Sequence, residues 1–474
     1  MKILRLLPLL LSLCAPCVMA QEPDDGKLQE FVQQCSVRYA ETDTLIDKAG
    51  TRDAGFYRVP GFPFLRTDRL LSSFHDELSD LNTLGTWLLQ LREYDSIARD
   101  AELQNLGMAK QPRADLLNDL RLCAVWMSFD VMADPAALKK LFAATRVPDD
   151  YAEGSPKISL SLQALDSAQR SATLQRFSAP LDTKVRLDLW QPTPVVDDSA
   201  LPAGFHEVLR DELGRVGLLM SAWPALAAKH APRLLIESRS RNDALGTPVW
   251  RGSKKALSAA VDIATPIVYY QPGYARLDGR MLVQLSYFLW LPADAKSKGG
   301  VDGLVWRVTL DEDGTPLLYD SVRANGLDAL WFPAGAVKPR AATAETLLLP
   351  QATPPKDFAL RLQAGNHALI RLQAAEQARD VKPHRYALRA YDDLAALPTP
   401  QGGTRNLFNS QAVVTGTAAP IPSDYAAAGI PHLGSMRQWN HLATALTSRR
   451  HFDDPFLIGT LFELPTVPVK TAGP

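Results

Sequence analysis

The chain has 474 residues, of which 46% are apolar and 22% are charged, with 51 basic and 52 acidic side chains. This composition is typical of a globular protein with a large buried core, and the length allows two or three domains. The near balance of charge argues against a nucleic-acid partner, because such partners are bound by an excess of basic groups that displaces counterions.

The first twenty residues, MKILRLLPLLLSLCAPCVMA, have the organisation of a secretory signal peptide. Lys2 and Arg5 lie at its start, and the apolar run ends at Val18-Met19-Ala20, with small residues at the minus-three and minus-one positions. The pattern predicts an exported protein, periplasmic or secreted. A lipoprotein is the weaker alternative, since neither cysteine of this segment follows a small residue. No later stretch reaches eighteen uninterrupted apolar residues, so we expect no transmembrane segment in the mature chain.

Removal of residues 1–20 leaves two cysteines, Cys35 and Cys123, and 49 basic against 52 acidic groups. In an oxidising compartment the two cysteines are expected to form one disulfide, because exposed free thiols are oxidised there. Two separate buried thiols are the alternative. Cys35 lies on the first predicted helix and Cys123 lies in a later apolar helical run, so the bridge would join two helices.

Between residues 27 and 146 the apolar side chains recur at helical spacing, which predicts a helical domain over residues 21–147. Pro, Gly and Asp residues between 147 and 156 mark its end, since these residues interrupt periodic structure. Two runs carry the helical pattern: Leu70, Leu71, Phe74, Leu78, Leu81, Leu84, Leu88 and Leu91, then Leu116, Leu117, Leu120, Cys123, Val125, Trp126 and Phe129.

After residue 157 the pattern changes to strands, interrupted by one long helix predicted between Phe205 and Lys229. Lys184 to Trp190 alternates apolar and polar residues, as a half-buried strand does. Residues 281–291, MLVQLSYFLWL, are apolar on one face and mixed on the other, which predicts a central strand covered on both sides.

The next segment, GLVWRVTL-DEDG-TPLLYDSV, predicts a β-hairpin with its turn at Asp311 to Gly314. The inward-facing residues of its first strand are Leu304, Trp306, Val308 and Leu310. We therefore expect an α+β fold, in which the helical N-terminal domain precedes a domain over residues 157–474 with a mainly antiparallel sheet and flanking helices.

Three segments, LVQLSYFLWLP, DGLVWRVTLDEDGTPLLYDSV and MRQWNHLATALTSRRHFDD, resemble segments of an uncharacterised group of exported bacterial proteins. The resemblance covers most of the region after Pro248. That group is associated with a Cys- and His-containing stretch just after the YDS segment, where this chain has Ala324-Asn325-Gly326-Leu327-Asp328. The resemblance therefore implies no metal or redox role at this position, and it implies no activity.

Motifs of common enzyme classes are incomplete. His206-Glu207 begins like the zinc-binding HExxH helix, but Arg210 stands where the second histidine is needed. His75 begins a similar stretch that ends in Ser79. The chain has no GxSxG, SxxK, GxGxxG or GxxxxGK[ST] sequence, so we predict no nucleophile elbow, no metal site and no cofactor.

The densest group of chemically active side chains is RQWNHLATALTSRRHFDD, residues 437–454. Ser435 followed by Gln438 is a capping-box pattern, which predicts a helix that begins at Met436 and ends near residues 448 and 449. In that helix His441 would lie on the solvent face, opposite the apolar stripe. The charges would then belong to a solvated helix face and to the helix end, where basic groups suit the macrodipole.

The functional alternative is a pocket formed by residues at and beyond the end of this helix. An Asp beside a His can orient and charge the imidazole for acid or base catalysis, and paired arginines suit a carboxylate or a phosphate. The candidate catalytic residues are therefore His451, Asp453 and His441, and the candidate binding residues are Arg449 and Arg450.

Trp290 and Tyr274 are the aromatic side chains that we expect at the surface, where they could stack on a ligand. We expect an exported, non-catalytic protein that binds or scaffolds an envelope component or a small ligand. The alternative is a cofactor-independent or metal-assisted hydrolase that acts on an envelope component through the C-terminal cluster. Convergence of His367 or His384 on His451 in a concave pocket would favour the enzyme, whereas scattered histidines would favour the binding protein.

We predict that the mature chain begins at Gln21, because Val18-Met19-Ala20 is the best processing site after the apolar run. Intact-mass measurement of the exported protein should give the mass of residues 21–474. Retention of residues 1–20 would contradict the prediction.

Overall fold

The computed structural model describes residues 25–147, 167–168, 170–194, 201–253, 255–293, 300–326, 328–343, 347–351, 353–378, 383–417, 436–441 and 451–465. The predicted signal peptide, the cleavage site before Gln21 and the predicted boundary at residues 148–156 lie outside these ranges. Within them no helix combines the length and the apolar character needed to span a bilayer.

The N-terminal part of the chain is mainly helical, as predicted. Asp80 accepts the backbone N–H groups of Asn82 and Thr83 and so starts a new helix within the apolar run after Leu70. A short antiparallel hairpin, which was not predicted, precedes that run. The elements are α1 (Asp25–Ala49), β1 (Tyr57–Val59), β2 (Phe62–Thr67), α2 (Arg69–Ser72), α3 (Leu81–Asn105), α4 (Lys110–Ala133) and α5 (Pro135–Ala144).

A disulfide between Cys35 and Cys123 joins α1 to α4, which confirms the predicted pairing. Both cysteines are buried. Next to the bridge, the hydroxyl of Tyr39 on α1 donates to the carbonyl of Leu120 on α4 over 2.9 Å. The covalent and polar contacts therefore fix the same pair of helices.

The rest of the chain is built on one ten-stranded sheet with the order β11-β10-β9-β8-β7-β15-β3-β4-β13-β14. Six of its nine neighbouring pairs are antiparallel, as the predicted α+β fold requires; β15 with β7, β15 with β3, and β4 with β13 are parallel. The strands are β3 (Arg186–Pro192), β4 (Leu234–Ser238), β7 (Ile267–Leu277), β8 (Arg280–Pro292), β9 (Val301–Leu310), β10 (Pro316–Arg323), β11 (Leu330–Pro333), β13 (Phe358–Leu362), β14 (Leu369–Ala374) and β15 (Pro383–Ala390).

The sheet curls because β15 passes from one half of it to the other. Residues 383–386 pair with β3, and residues 387–390 pair with β7. Apolar side chains of both halves consequently share one inner core, in which Leu360 of β13 and Tyr386 of β15 lie with Tyr287 of β8.

Strand β8 is buried along almost its whole length, which confirms the predicted central strand. Val283, Leu285 and Tyr287 face the inner core, whereas Phe288 and Trp290 face a second, outer core. The predicted hairpin also forms, since β9 and β10 are antiparallel with Ser321 opposite Trp306. Trp306 and Val308 face the inner core, as expected.

The outer core lies between the sheet and segments that are not part of it. A hairpin of β5 (Thr247–Ser253) and β6 (Ala256–Asp262) covers one end. Helix α7 (Leu457–Leu461) contributes Leu457, Ile458 and Leu461 to the same core. The remaining short strands are β12 (Lys338–Pro339) with β18 (Phe462–Glu463), and β16 (Leu397–Pro398) with β17 (Thr404–Arg405).

The prediction of one long helix between Phe205 and Lys229 is wrong. Only Ala222–Lys229 is helical, and we call it α6. Residues before it form a tight turn, in which the Asp211 carboxylate accepts the N–H groups of Leu213 and Arg215, and Gly214 has φ +74°. A left-handed glycine and an Asx turn favour this loop over a helix.

We predict that loss of the disulfide destabilises the fold by about 4 kcal/mol, because the bridge closes a loop between residues 88 positions apart. Urea unfolding of the Cys35→Ser/Cys123→Ser variant should show this loss relative to the oxidised protein, and the reduced wild type should behave like the variant. An unchanged unfolding midpoint would contradict the prediction.

Candidate functional site

The C-terminal segment that holds the candidate catalytic residues lies against the outer face of the sheet. Residues 436–441 begin in an extended conformation, so the helix predicted from Met436 is wrong there. Arg437 forms a β-bridge with Val413, and its N–H donates to the carbonyl of Ala324 over 2.9 Å. These tertiary bonds outweigh the local capping-box preference. Only the 3-10 turn Trp439–His441 is helical in these residues.

Part of the predicted cluster lies outside the described residues. This part includes Ser435, the predicted end of the helix at residues 448 and 449, and the candidate binding residues Arg449 and Arg450. The described candidates are His441, His451 and Asp453.

His441 does not lie on an exposed helix face as predicted. Its ring is partly buried, and Nε2 lies 2.9 Å from the carbonyl oxygen of Ala54, to which it donates. The ring also packs at 5.1 Å from the ring of Tyr57 on β1. His441 therefore joins the C-terminal segment to the N-terminal part of the chain.

His451 is buried, with 7% of its surface exposed. This burial is the main cause that lowers the pKa of His451 to about 2, and the nearby charges of Arg69, His441 and Arg437 act in the same direction. The imidazole is therefore neutral at neutral pH.

Asp453 lies beside Arg69, with 3.5 Å between the carboxylate Oδ1 and the guanidinium Nε. Burial nevertheless raises the pKa of Asp453 to about 8, and Asp68 and Asp454 add to the rise, whereas Arg69 opposes it. Both partners are largely removed from water, and such burial disfavours an ionised carboxylate. The carboxyl group is therefore mostly protonated at neutral pH.

These two pKa shifts affect whether His451 and Asp453 could act together in catalysis. In acid–base catalysis an ionised carboxylate stabilises the imidazolium of its histidine. Here burial keeps both His451 and Asp453 neutral. The arrangement favours a packed junction over a proton-transfer centre.

Phe452, which lies between His451 and Asp453 in the chain, is held by a polar side chain of the sheet. Arg307 of β9 donates to the Phe452 carbonyl over 2.7 Å, and its guanidinium lies 4.1 Å from the centre of the phenyl ring. Arg307 also donates to both carboxylate oxygens of Asp320 on β10 at 3.1 Å. Burial raises the pKa of Asp320 to about 6, against the opposing effect of Arg307. The candidate segment thus belongs to the core.

A second polar junction, which the sequence analysis missed, lies at Asp53. Its Oδ1 accepts hydrogen bonds from Asn406 at 2.7 Å and from Gln438 at 3.0 Å, and its backbone N–H donates to Glu102 over 2.9 Å. Glu102 in turn pairs with the fully buried Arg66 at 2.7 Å. A continuous polar chain therefore connects the helices to the segments around residues 406 and 438.

The spacing on α3 is the signal that could have revealed this junction. Asp95, Arg99 and Glu102 continue the apolar stripe of Leu88 and Leu91 at helical intervals, so they face the core. All three are buried. Charged residues in register with an apolar stripe indicate buried ion pairs, because an unpaired charge would be too costly there.

The two aromatic candidates for ligand stacking are not exposed. Trp290 is 2% exposed and packs against Phe408 in the outer core, so its prediction as a surface residue is wrong. Tyr274 is partly buried, and its hydroxyl donates to the carbonyl of Val216 over 3.2 Å. Both rings contribute to packing, because apolar faces of a covered strand are filled by large side chains.

The other histidines have their own partners. His367 Nδ1 lies 2.9 Å from Asp302 and Nε2 lies 3.6 Å from Asp243, and all three residues are buried. His384 stacks on Trp190 at 4.7 Å. The contacts that the structure shows for these residues do not involve His451, and in the described ranges no three His, Cys, Asp or Glu side chains form a group that could hold a metal ion.

No family model, curated protein or solved structure matches this chain.

We predict that wild type loses about 2 kcal/mol of stability relative to His451→Gln when the pH falls from 7.5 to 5. The pKa of His451 is lowered in the folded state, so its stabilising contribution is full above about pH 6.5 and is lost as the pH falls and the unfolded chain binds a proton. Urea unfolding at both pH values measures the difference. The exposed His206→Gln is the control variant. A pH-independent difference between wild type and His451→Gln would contradict the prediction.

Proposed function

We propose that this chain is an exported protein that binds or scaffolds a component of the cell envelope without catalysing a reaction. The observation that carries the proposal is the use of the C-terminal cluster as a junction. Asp453 lies beside Arg69, and His441 bonds to Ala54, so these two candidates contact the N-terminal part of the chain. Side chains that hold two parts of a fold together are not available to bind and release a substrate.

The electrostatic state of the cluster supports the same conclusion. A general base works best when its pKa lies near the operating pH. Burial moves the pKa of His451 to about 2, far below that range, and leaves the carboxyl of Asp453 mostly protonated. The hydrolase alternative would require an environment in which Asp453 is ionised and His451 is basic.

The disulfide supports export. Bridges of this kind persist in oxidising compartments and are rare in the cytosol. Cys35 and Cys123 are paired and buried in the helical core, as a structural bridge is. Together with the N-terminal signal pattern, the bridge favours the periplasm or the extracellular space as the place where this protein works.

The proposal is tested by incubating the purified protein with sacculi and, separately, with envelope membrane fractions. We expect the protein to sediment with one of these fractions and to release no soluble fragments. His451→Gln should sediment like wild type, since His451 has a packing role.

Two results would contradict the proposal. One is time-dependent release of fragments that is lost in His451→Gln while the variant remains folded, which would support the hydrolase. The other is the absence of binding to every fraction, which would remove the support for an envelope binding protein.

A further inference from the structure

The loop at residues 205–220, which replaces the predicted long helix, is firmly anchored. Phe205 and Val216 are buried in the inner core, and Leu213 is buried in the core of the helical part. Arg210 forms a β-bridge with Val216, and its guanidinium donates to the carbonyl of Met281 over 3.1 Å. The loop therefore has a fixed conformation, held by both parts of the chain.

This loop presents the three most exposed large apolar side chains of the described residues. Leu209 is 86% exposed, Met220 is 85% exposed and Leu219 is 74% exposed. Their backbone is not loose, because the Gly217 N–H donates to the Leu209 carbonyl over 2.8 Å and the Ala222 N–H donates to the Leu219 carbonyl over 2.9 Å. We call Leu209, Leu219 and Met220 the apolar patch.

The charges around the apolar patch are mainly acidic. The loop and the adjoining β9–β10 turn contact each other, since the Phe205 N–H donates to the Glu312 carbonyl over 2.6 Å. Three ion pairs neutralise the arginines of this surface: Arg210 with Glu312, Arg215 with Asp211, and Arg280 with Asp311.

Three further acids, Glu207, Glu212 and Asp313, remain after this pairing. Hydrogen bonds from Thr86 and from Thr315 lower the pKa values of Glu212 and Asp313 respectively, so both are ionised at neutral pH. The side chain of Glu207 is 76% exposed. The loop that carries the apolar patch and the turn that contacts it therefore have a surplus of negative charge, and we call these three residues the acidic rim.

Main-chain pairing at the edges of the large sheet is restricted. On β14 the Gln351 amide bonds to both the N–H and the carbonyl of Leu372, at 3.0 Å each. On β11 the Trp331 N–H donates to the Leu348 carbonyl over 2.9 Å. Covered edges hinder strand addition, so a partner is better accommodated by side-chain contacts elsewhere.

We propose that the apolar patch and the acidic rim dock a cationic amphipathic segment of a partner protein. Large exposed apolar side chains on a rigid loop suit the apolar face of such a segment. The acidic rim attracts its Lys and Arg residues and repels the headgroups of anionic lipids, which disfavours a membrane as the occupant. This inference rests on the proposed binding function and names its partner class.

The test uses a short, labelled, synthetic amphipathic peptide of Leu and Lys, with a Leu and Glu peptide of the same pattern as its counterpart. Fluorescence anisotropy with the full mature protein should show binding of the Lys peptide only, and the affinity should fall as salt screens the acidic rim. Vesicles of phosphatidylglycerol should not bind.

Two double variants separate the apolar and the charged contributions. Leu219→Ser/Met220→Ser removes exposed apolar contacts and should weaken binding at least about tenfold. Glu207→Gln/Glu212→Gln should weaken binding at low salt and flatten its salt dependence. Two control variants on the helices should weaken peptide binding far less. Leu122→Ser removes an apolar side chain that is 54% exposed, and Glu30→Gln/Glu41→Gln removes the same number of negative charges as Glu207→Gln/Glu212→Gln.

The inference is overturned if the Lys peptide does not bind, if controls and patch variants weaken binding equally, or if the vesicles bind through Leu219 and Met220. Sedimentation with envelope fractions distinguishes the two proposals. Retained sedimentation without peptide binding would contradict this inference alone, whereas loss of both would contradict the proposed function as well.

Discussion

The arrangement of this protein depends on the buried ion pairs of Arg66 with Glu102 and Asp95. The Arg66 guanidinium pairs with Glu102 at 2.7 Å and with Asp95 at 3.2 Å, and none of it is exposed. Burial tends to lower the pKa of Arg66, but Glu102 and Asp95 outweigh it and raise the pKa, so the guanidinium is charged. Such a charge is tolerated only while its partners stay in place, because an unpaired buried charge is strongly destabilising.

The same network determines how the C-terminal segments are positioned. Glu102 accepts the N–H of Asp53, and Asp53 accepts hydrogen bonds from Asn406 and Gln438. One polar path that begins on α3 therefore holds the segments around residues 53, 406 and 438 together. With the contact between Arg69 and Asp453 and the His441–Ala54 bond, this path makes the C-terminal segment a structural link between helices and sheet.

This placement changes the meaning of the charged cluster near the C-terminus. In the sequence, His, Arg and Asp side chains close together suggest a site, since these residue types carry most acid–base chemistry. In the structure, burial makes His451 and Asp453 neutral and the polar atoms join separate segments. The most exposed large apolar side chains of the described residues lie instead on the 205–220 loop.

The sequence alone determined the features that depend on local periodicity and on the number of cysteines. Helical spacing predicted α4 with Cys123 buried, and alternation predicted β8 and the β9–β10 hairpin. The disulfide followed from the presence of only two cysteines after residue 20. The helix and strand predictions hold because an apolar stripe or face must be buried whatever its neighbours are.

Tertiary structure decided the remainder. Main-chain bonds to distant segments made Arg437 extended instead of helical, and the segments that cover the outer core buried Trp290. The partners of Arg66, Asp53 and Asp453 come from residues far apart in the chain. Local sequence cannot specify such partners, because the charge state and exposure of a side chain are set by what the fold brings next to it.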